Sequence, residues 1–272
     1  MQLVEGKSNT YDQRLNWEPR YPVKCEITIT ATNKKGKEET FRYLINLRDI
    51  DKNTIRSKNE KELMKLSMVM DNRQKLIRYY QDGEQENYRE KMDLYATDVD
   101  NSRQLEQLFK QAVETAQQIQ PMDLPKTFAE QMAWLKEKIR PIEIGETVYE
   151  QSLSQDETIS TLLTYQLVKA GKKSREENYL FNLVDLKENQ VRLKVKGKLV
   201  SIELPSQRKL KFIQQSVDGN TTKFSNQLTF YGEDLDPAKR IVDVMRRIIP
   251  QSRALDKKRF PPKANAFTLT NA

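Results

Sequence analysis

The chain contains one pattern twice. Tyr43-Leu44-Ile45-Asn46-Leu47-Arg48-Asp49 returns as Tyr179-Leu180-Phe181-Asn182-Leu183-Val184-Asp185, an offset of 136 residues. The offset holds without a gap from Tyr43 to Val113. There 16 of 71 positions are identical, against about four expected from ordinary residue usage. Many other positions exchange one apolar residue for another, as in Leu66/Ile202, Met68/Leu204 and Val113/Ile249. Upstream, Tyr11-Asp12-Gln13-Arg14-Leu15 matches Tyr149-Glu150-Gln151-Ser152-Leu153 at an offset of 138. One copy is therefore two residues longer somewhere before Tyr43, a difference that a loop absorbs at little entropic cost. A repeated pattern restricts the fold to architectures that occur twice in one chain. The sequence divides into module 1 at 11–119, a helical connector at 120–146, module 2 at 147–253 and a basic tail, expected to be mobile, at 254–272.

Within each copy the hydrophobic period changes once. Ile27, Ile29 and Ala31, then Tyr43, Ile45 and Leu47, alternate as strand residues do, and Gly36 between them marks a hairpin turn. Val200, Ile202 and Leu204 indicate another strand, as does Lys211 to Val217. The latter meets Asp218-Gly219, a dipeptide suited to the type I′ turn because both central residues need positive φ. After Tyr231 the period becomes 3.6: Ile241, Val244, Met245, Ile248 and Ile249 form one stripe, with Asp236 as the expected N-cap and Pro237 at the first helical position. Copy 1 repeats this with Asp100, Leu105, Leu108, Phe109, Ala112, Val113 and Ala116. The expected fold class is α+β: two repeated modules, each a mainly antiparallel sheet or barrel of six or seven strands closed by a C-terminal amphipathic helix. In the connector, Thr127 and Glu130 form a capping box ahead of Phe128, Met132, Leu135 and Ile139. That helix is expected to pack on one or both modules rather than act as a flexible linker.

Composition narrows the chemistry. The chain has no histidine, one cysteine (Cys25) and eight glycines. This removes the commonest general base, the commonest metal ligand and the raw material of glycine-rich phosphate loops. A carboxylate-only hydrolase remains permitted, yet neither copy marks a paired acid and base. The expectation is a non-enzymatic protein with no cofactor. The Asp98/Asp100 and Asp234/Asp236 pairs are read as helix caps rather than metal ligands, because no further spaced acidic ligands follow. No apolar run approaches the roughly 20 residues needed for a transmembrane helix. Residues 1 to 10 lack the apolar stretch of a leader, so the default location is cytoplasmic, or periplasmic or extracellular if a leader has been removed.

A set of short strands closed by a C-terminal amphipathic helix in a module of this length resembles the pleckstrin-homology-like barrel family. The likeness lies in element order and covers both copies. It departs from the family pattern in having Phe109 or Met245, and no Trp, on the terminal helix. It implies a binding or scaffold module that engages other proteins, peptides or phospholipid head groups. It also points to basic residues in an early hairpin as the nearest match to a lipid site: Lys34, Lys35 and Lys37 in copy 1, and Lys172, Lys173 and Arg175 in copy 2. These side chains either hold an anion or only keep a turn solvated. Residues 149–255 carry a net charge of +5 against +1 for 11–120, so an anionic lipid or nucleic acid, if bound, is expected to meet copy 2. Protein partners are the leading expectation.

Overall fold

The structure, a computed structural model, describes residues 2–17, 21, 23–60, 63–119, 124–171 and 174–259. Two compact units divide the chain, Met1–Met122 with Val195–Lys198, and Asp123–Lys194 with Leu199–Ala272. In chain order the first contains β1 (Gln2–Glu5), β2 (Asn9–Trp17), β3 (Lys24–Asn33), β4 (Glu38–Asn46), β5 (Arg56–Glu60), β6 (Leu63–Val69), β7 (Arg78–Gln81), β8 (Glu84–Gln85), β9 (Lys91–Ala96) and α1 (Val99–Gln118). Then come α2 (Phe128–Lys138), β10 (Ile142–Ile144), β11 (Thr147–Gln155), β12 (Leu162–Ala170), β13 (Arg175–Asn182), β14 (Arg192–Lys196), β15 (Leu199–Pro205), β16 (Ile213–Val217), β17 (Asn220–Ser225), β18 (Gln227–Gly232) and α3 (Leu235–Arg259).

Both units are α+β with one topology. The first has a six-stranded sheet, β1-β2-β3-β4-β7-β8, and a three-stranded sheet, β5-β6-β9; the second repeats it as β10-β11-β12-β13-β16-β17 and β14-β15-β18. Pairing is antiparallel and the registers coincide: Ile27 faces Tyr43 as Tyr165 faces Tyr179, and Leu66 faces Leu94 as Ile202 faces Phe230. The 138 offset holds along β2 and β3, where Tyr11 faces Ala31 as Tyr149 faces Lys169, and the 136 offset holds from β4 onward. The extra two residues of copy 1 thus lie in its β3–β4 turn. Each unit has more strands than the six or seven expected, because β1 and β10 precede the segment in which the repeat was legible and β8 and β17 follow the Asp-Gly turns closely. Val4 and Ile142, both buried, fix the two added first strands to the core.

The turns show why the pattern recurs. Asp82 and Gly83 have φ of 49° and 89°, and Asp218 and Gly219 have 49° and 71°, the positive values that the type I′ turn requires. Asp82 Oδ1 accepts the Thr40 N–H at 2.9 Å and Asp218 Oδ1 accepts the Glu176 N–H at 2.8 Å, so each turn is tied to the neighbouring hairpin by the same bond.

Among the described residues no ladder pairs β2 with β9 or β11 with β18; a buried glutamine bridges that edge between the two sheets of each unit instead. Gln13 on β2 donates to the Tyr95 carbonyl and accepts the Tyr95 N–H, both at 2.8 Å, imitating a backbone pair across to β9. Gln151 does the same to Tyr231 at 2.7 and 3.1 Å, and in addition accepts the Tyr165 hydroxyl at 2.9 Å. Over each clamp a tyrosine pair packs, Tyr11 on Tyr95 with ring centroids 3.9 Å apart and Tyr149 on Tyr231 at 4.5 Å.

Two helix boundaries differ from expectation. The cap of α1 is Asp98, which accepts the Asn101 N–H at 2.7 Å from an extended backbone, whereas Asp100 lies inside the first turn and pairs with Arg103 at 3.6 Å. β9 ends at Ala96, so the chain turns two residues before the Asp100 position. The shift carries over to α3, where Leu235 is the first helical residue and Pro237 the third, still within the turn whose N–H groups have no helical acceptor. At its far end α3 continues past 253 to Arg259, taking in part of the segment expected to be a mobile tail. The Arg253 guanidinium donates to the Leu186 carbonyl at 2.5 Å and the Val184 carbonyl at 3.3 Å, which holds this part of α3 to the short 3-10 turn that follows β13. Ala254, Leu255, Lys257 and Lys258 are also good helix formers. Residues 260–272 lie outside the described residues.

Candidate binding groove

The second unit shows what the module does with its helix stripe. In α3, Ile241, Val244, Met245, Ile248 and Ile249 are all buried, and so are Leu235, Ala238 and Val242, a buried face wider than that one stripe. The additional cover is α2. Its capping box is formed as expected, Thr127 Oγ1 accepting the Glu130 N–H at 3.2 Å and Glu130 Oε2 accepting the Thr127 N–H at 3.0 Å. Met132, Leu135 and Ile139 are buried, and the helix packs on α3 and β11 of the same unit. It runs antiparallel to α3. Gln251 donates to the Lys126 carbonyl at 3.1 Å, the Arg240 guanidinium lies 5.5 Å from the centre of the Trp134 ring, and Arg140 is ion-paired with Glu233 at 2.5 Å. Just past the helix, the Arg140 carbonyl accepts the second amide hydrogen of Gln151 at 2.9 Å.

The first unit has the same surface, and among the described residues no helix lies over it. Gln13, Arg14, Leu15 and Trp17 of β2, Ile27 of β3, Leu94 and Tyr95 of β9, and Leu105, Leu108, Phe109 and Ala112 of α1 line an open, mainly apolar groove of about 460 Å³. Leu108 is 60% exposed where its counterpart Val244 is fully buried, and Leu15 is 48% exposed where its counterpart Leu153 is 7% exposed. Trp17, the last residue of β2, stands at the mouth of the groove. Tyr95 lines the groove while its ring stacks on Tyr11, and burial raises its hydroxyl pKa, so it is neutral at physiological pH. A mainly apolar lining of this size, with the Gln13 amide and Arg14 among its residues, suits an apolar surface of a partner.

Of the hairpin residues singled out for anion binding, Lys34, Lys35, Lys37 and Arg175 are exposed. Lys34 and Lys35 extend into solvent, in a turn organised by Asn33, whose side-chain oxygen accepts the N–H groups of Lys35 and Lys37 at 2.8 and 3.0 Å. Lys37 is paired with Glu39 at 3.0 Å. In copy 2, Arg175 pairs at 2.9 Å with Glu177, a buried carboxylate that Lys169 also approaches at 3.5 Å; Lys172 and Lys173 lie outside the described residues. Lys37 and Arg175 therefore already have carboxylate partners two residues on, Glu39 in β4 and Glu177 in β13.

The thiol of Cys25 is buried, and burial pushes its pKa up to about 12, so it remains protonated at neutral pH. Among the described residues no three His, Cys, Asp or Glu side chains are grouped as metal ligands, and no helix is long and apolar enough to cross a membrane.

The groove lay partly within reach of the sequence. The α1 stripe was legible, but whether a stripe is covered depends on a second element, and only copy 2 is preceded in this chain by an amphipathic helix. Compared with protein-family models, curated proteins and solved structures, the chain matches none of them.

Proposed function

We propose that this chain is a non-enzymatic binding or scaffold protein, built from two copies of a pleckstrin-homology-like module, whose partner is another protein. The observation that carries the reading is the open groove of the first unit, where Leu15, Trp17 and Leu108 leave apolar surface in water while the equivalent surface of the second unit is covered by α2. A soluble domain does not normally keep such a patch unless something binds there. The order of elements, antiparallel strands followed by one C-terminal helix per unit, supports the pleckstrin-homology-like part of the proposal.

The test is affinity capture from a lysate of the source organism with the full chain and with Leu108→Glu, followed by identification of retained proteins. A protein held by the wild type and lost from the variant supports the reading. Salt-sensitive binding to acidic vesicles or DNA, unaffected by Leu108→Glu and with no groove-dependent protein, would replace it with an anionic-surface adapter.

A further inference from the structure

We infer that the groove of the first unit is a receptor for one amphipathic α-helix of a partner protein, seated antiparallel to α1 as α2 is seated on α3. The inference rests on the protein-binding reading above and names the form the partner takes.

Three observations carry it. First, the two grooves are the same site by register: Leu105, Leu108, Phe109 and Ala112 occupy the positions of Ile241, Val244, Met245 and Ile248, and a helix fills the second groove within this very chain. Its stripe, Phe128, Met132, Leu135 and Ile139, repeats at intervals of four, three and four residues, the spacing that puts one apolar edge into a groove. Second, the polar end of the site is only half used in the first unit. The Gln151 amide donates to the Tyr231 carbonyl and to the Arg140 carbonyl beyond α2, whereas among the described residues Gln13 donates only to the Tyr95 carbonyl. Gln13 is buried and matches Gln151 in register, so its second N–H can donate to a carbonyl at the end of an incoming helix as Gln151 donates to the Arg140 carbonyl. Third, the groove differs from its twin in size and charge. Ala112 replaces Ile248, leaving room for a larger side chain on the guest, and Gln104 and Thr97 stand where Arg240 meets Trp134 of α2 and Glu233 meets Arg140 just beyond it. The guest is therefore a helix with a bulky apolar stripe and little dependence on flanking charge.

A fluorescein-labelled peptide of residues 124–141 serves as the probe, with fluorescence anisotropy against the full chain. Saturable binding is expected at one site per chain, weakened more than about thirtyfold by Leu108→Glu, a change at an exposed position, and by Ala112→Trp, which fills the groove. A Leu135→Glu probe should not bind. Circular dichroism of each variant excludes loss of folding. Binding that Leu108→Glu and Ala112→Trp leave unchanged would place the peptide elsewhere and overturn the inference. A wild-type dimer in sedimentation, dissociated by Leu108→Glu, would make a second copy the occupant and overturn it too. If the probe fails while capture still retains a protein through Leu108, the helix is wrong and the protein-binding reading survives; if both fail, both fall.

Discussion

Replacing Gln151 by leucine removes the clamp between the sheets of the second unit while nearly conserving volume. Four hydrogen bonds end at that amide, to the Tyr231 N–H and carbonyl, the Tyr165 hydroxyl and the Arg140 carbonyl. Its two donor hydrogens and both acceptor positions are used. Leucine leaves those four groups without this partner in a place where Gln151 is 4% exposed. At about 1–3 kcal/mol per buried polar group left unpaired, with water and small shifts relieving part of it, the expected loss is about 4 kcal/mol. Gln13 makes two such bonds in the first unit, so Gln13→Leu should cost roughly half as much. A two-unit chain need not unfold in one step, so each unit needs its own reporter. Trp17 and Trp134 supply them: in a Trp17→Phe background fluorescence follows the second unit, and in Trp134→Phe the first. With a urea dependence of about 2 kcal/mol/M, Gln151→Leu should lower the midpoint of the second unit by about 2 M and leave that of the first in place. A shift below about 0.3 M, or a larger effect from Gln13→Leu, would refute the claim that these amides join the sheets.

Two further outcomes follow from the local chemistry. Glu203 is a buried carboxylate; burial alone would raise its pKa, but hydrogen bonds from Lys194 at 2.7 Å and Arg192, with Nη2 at 2.6 Å, outweigh it and hold the value below the usual one. A lowered folded pKa contributes stability that is present above the unfolded value, near 4.3, and is lost as pH falls through the folded value. Glu203→Gln should therefore cost about 1–2 kcal/mol at pH 7, since both cations can turn to solvent, with the difference from wild type shrinking below pH 4 in urea unfolding followed by Trp134. For α1, Asp98→Ala should cost about 1 kcal/mol and Asp100→Ala only a few tenths, measured through Trp17, because Asp98 alone accepts the Asn101 N–H.

What could be read in the residues was what local rules determine. The Asp-Gly turns, the Thr127–Glu130 capping box and the stripes of α1 and α3 depend on neighbours a few positions away, and the repeat located each of them twice. The cap position was misplaced by two residues because Asp98 and Asp100 are chemically alike, and the end of β9 selects between them. Gln13 and Gln151 looked like ordinary polar residues in strands; their role depends on Tyr95 and Tyr231, some 80 positions later, whose edge N–H and carbonyl no strand meets. The groove was hidden for the same reason. Leu108 and Val244 carry equivalent sequence signals and differ only in whether α2 lies over them.

That difference between matching surfaces can be measured by thiol labelling. Leu108→Cys and Val244→Cys each add one thiol to a chain whose native Cys25 is 3% exposed and silent. Under native conditions Cys at 108 should react at the rate of a free surface thiol, and Cys at 244 at least about a hundredfold more slowly, because α2 must first lift away. Equal rates at the two positions would contradict the account of one module present twice, covered in one copy and open in the other.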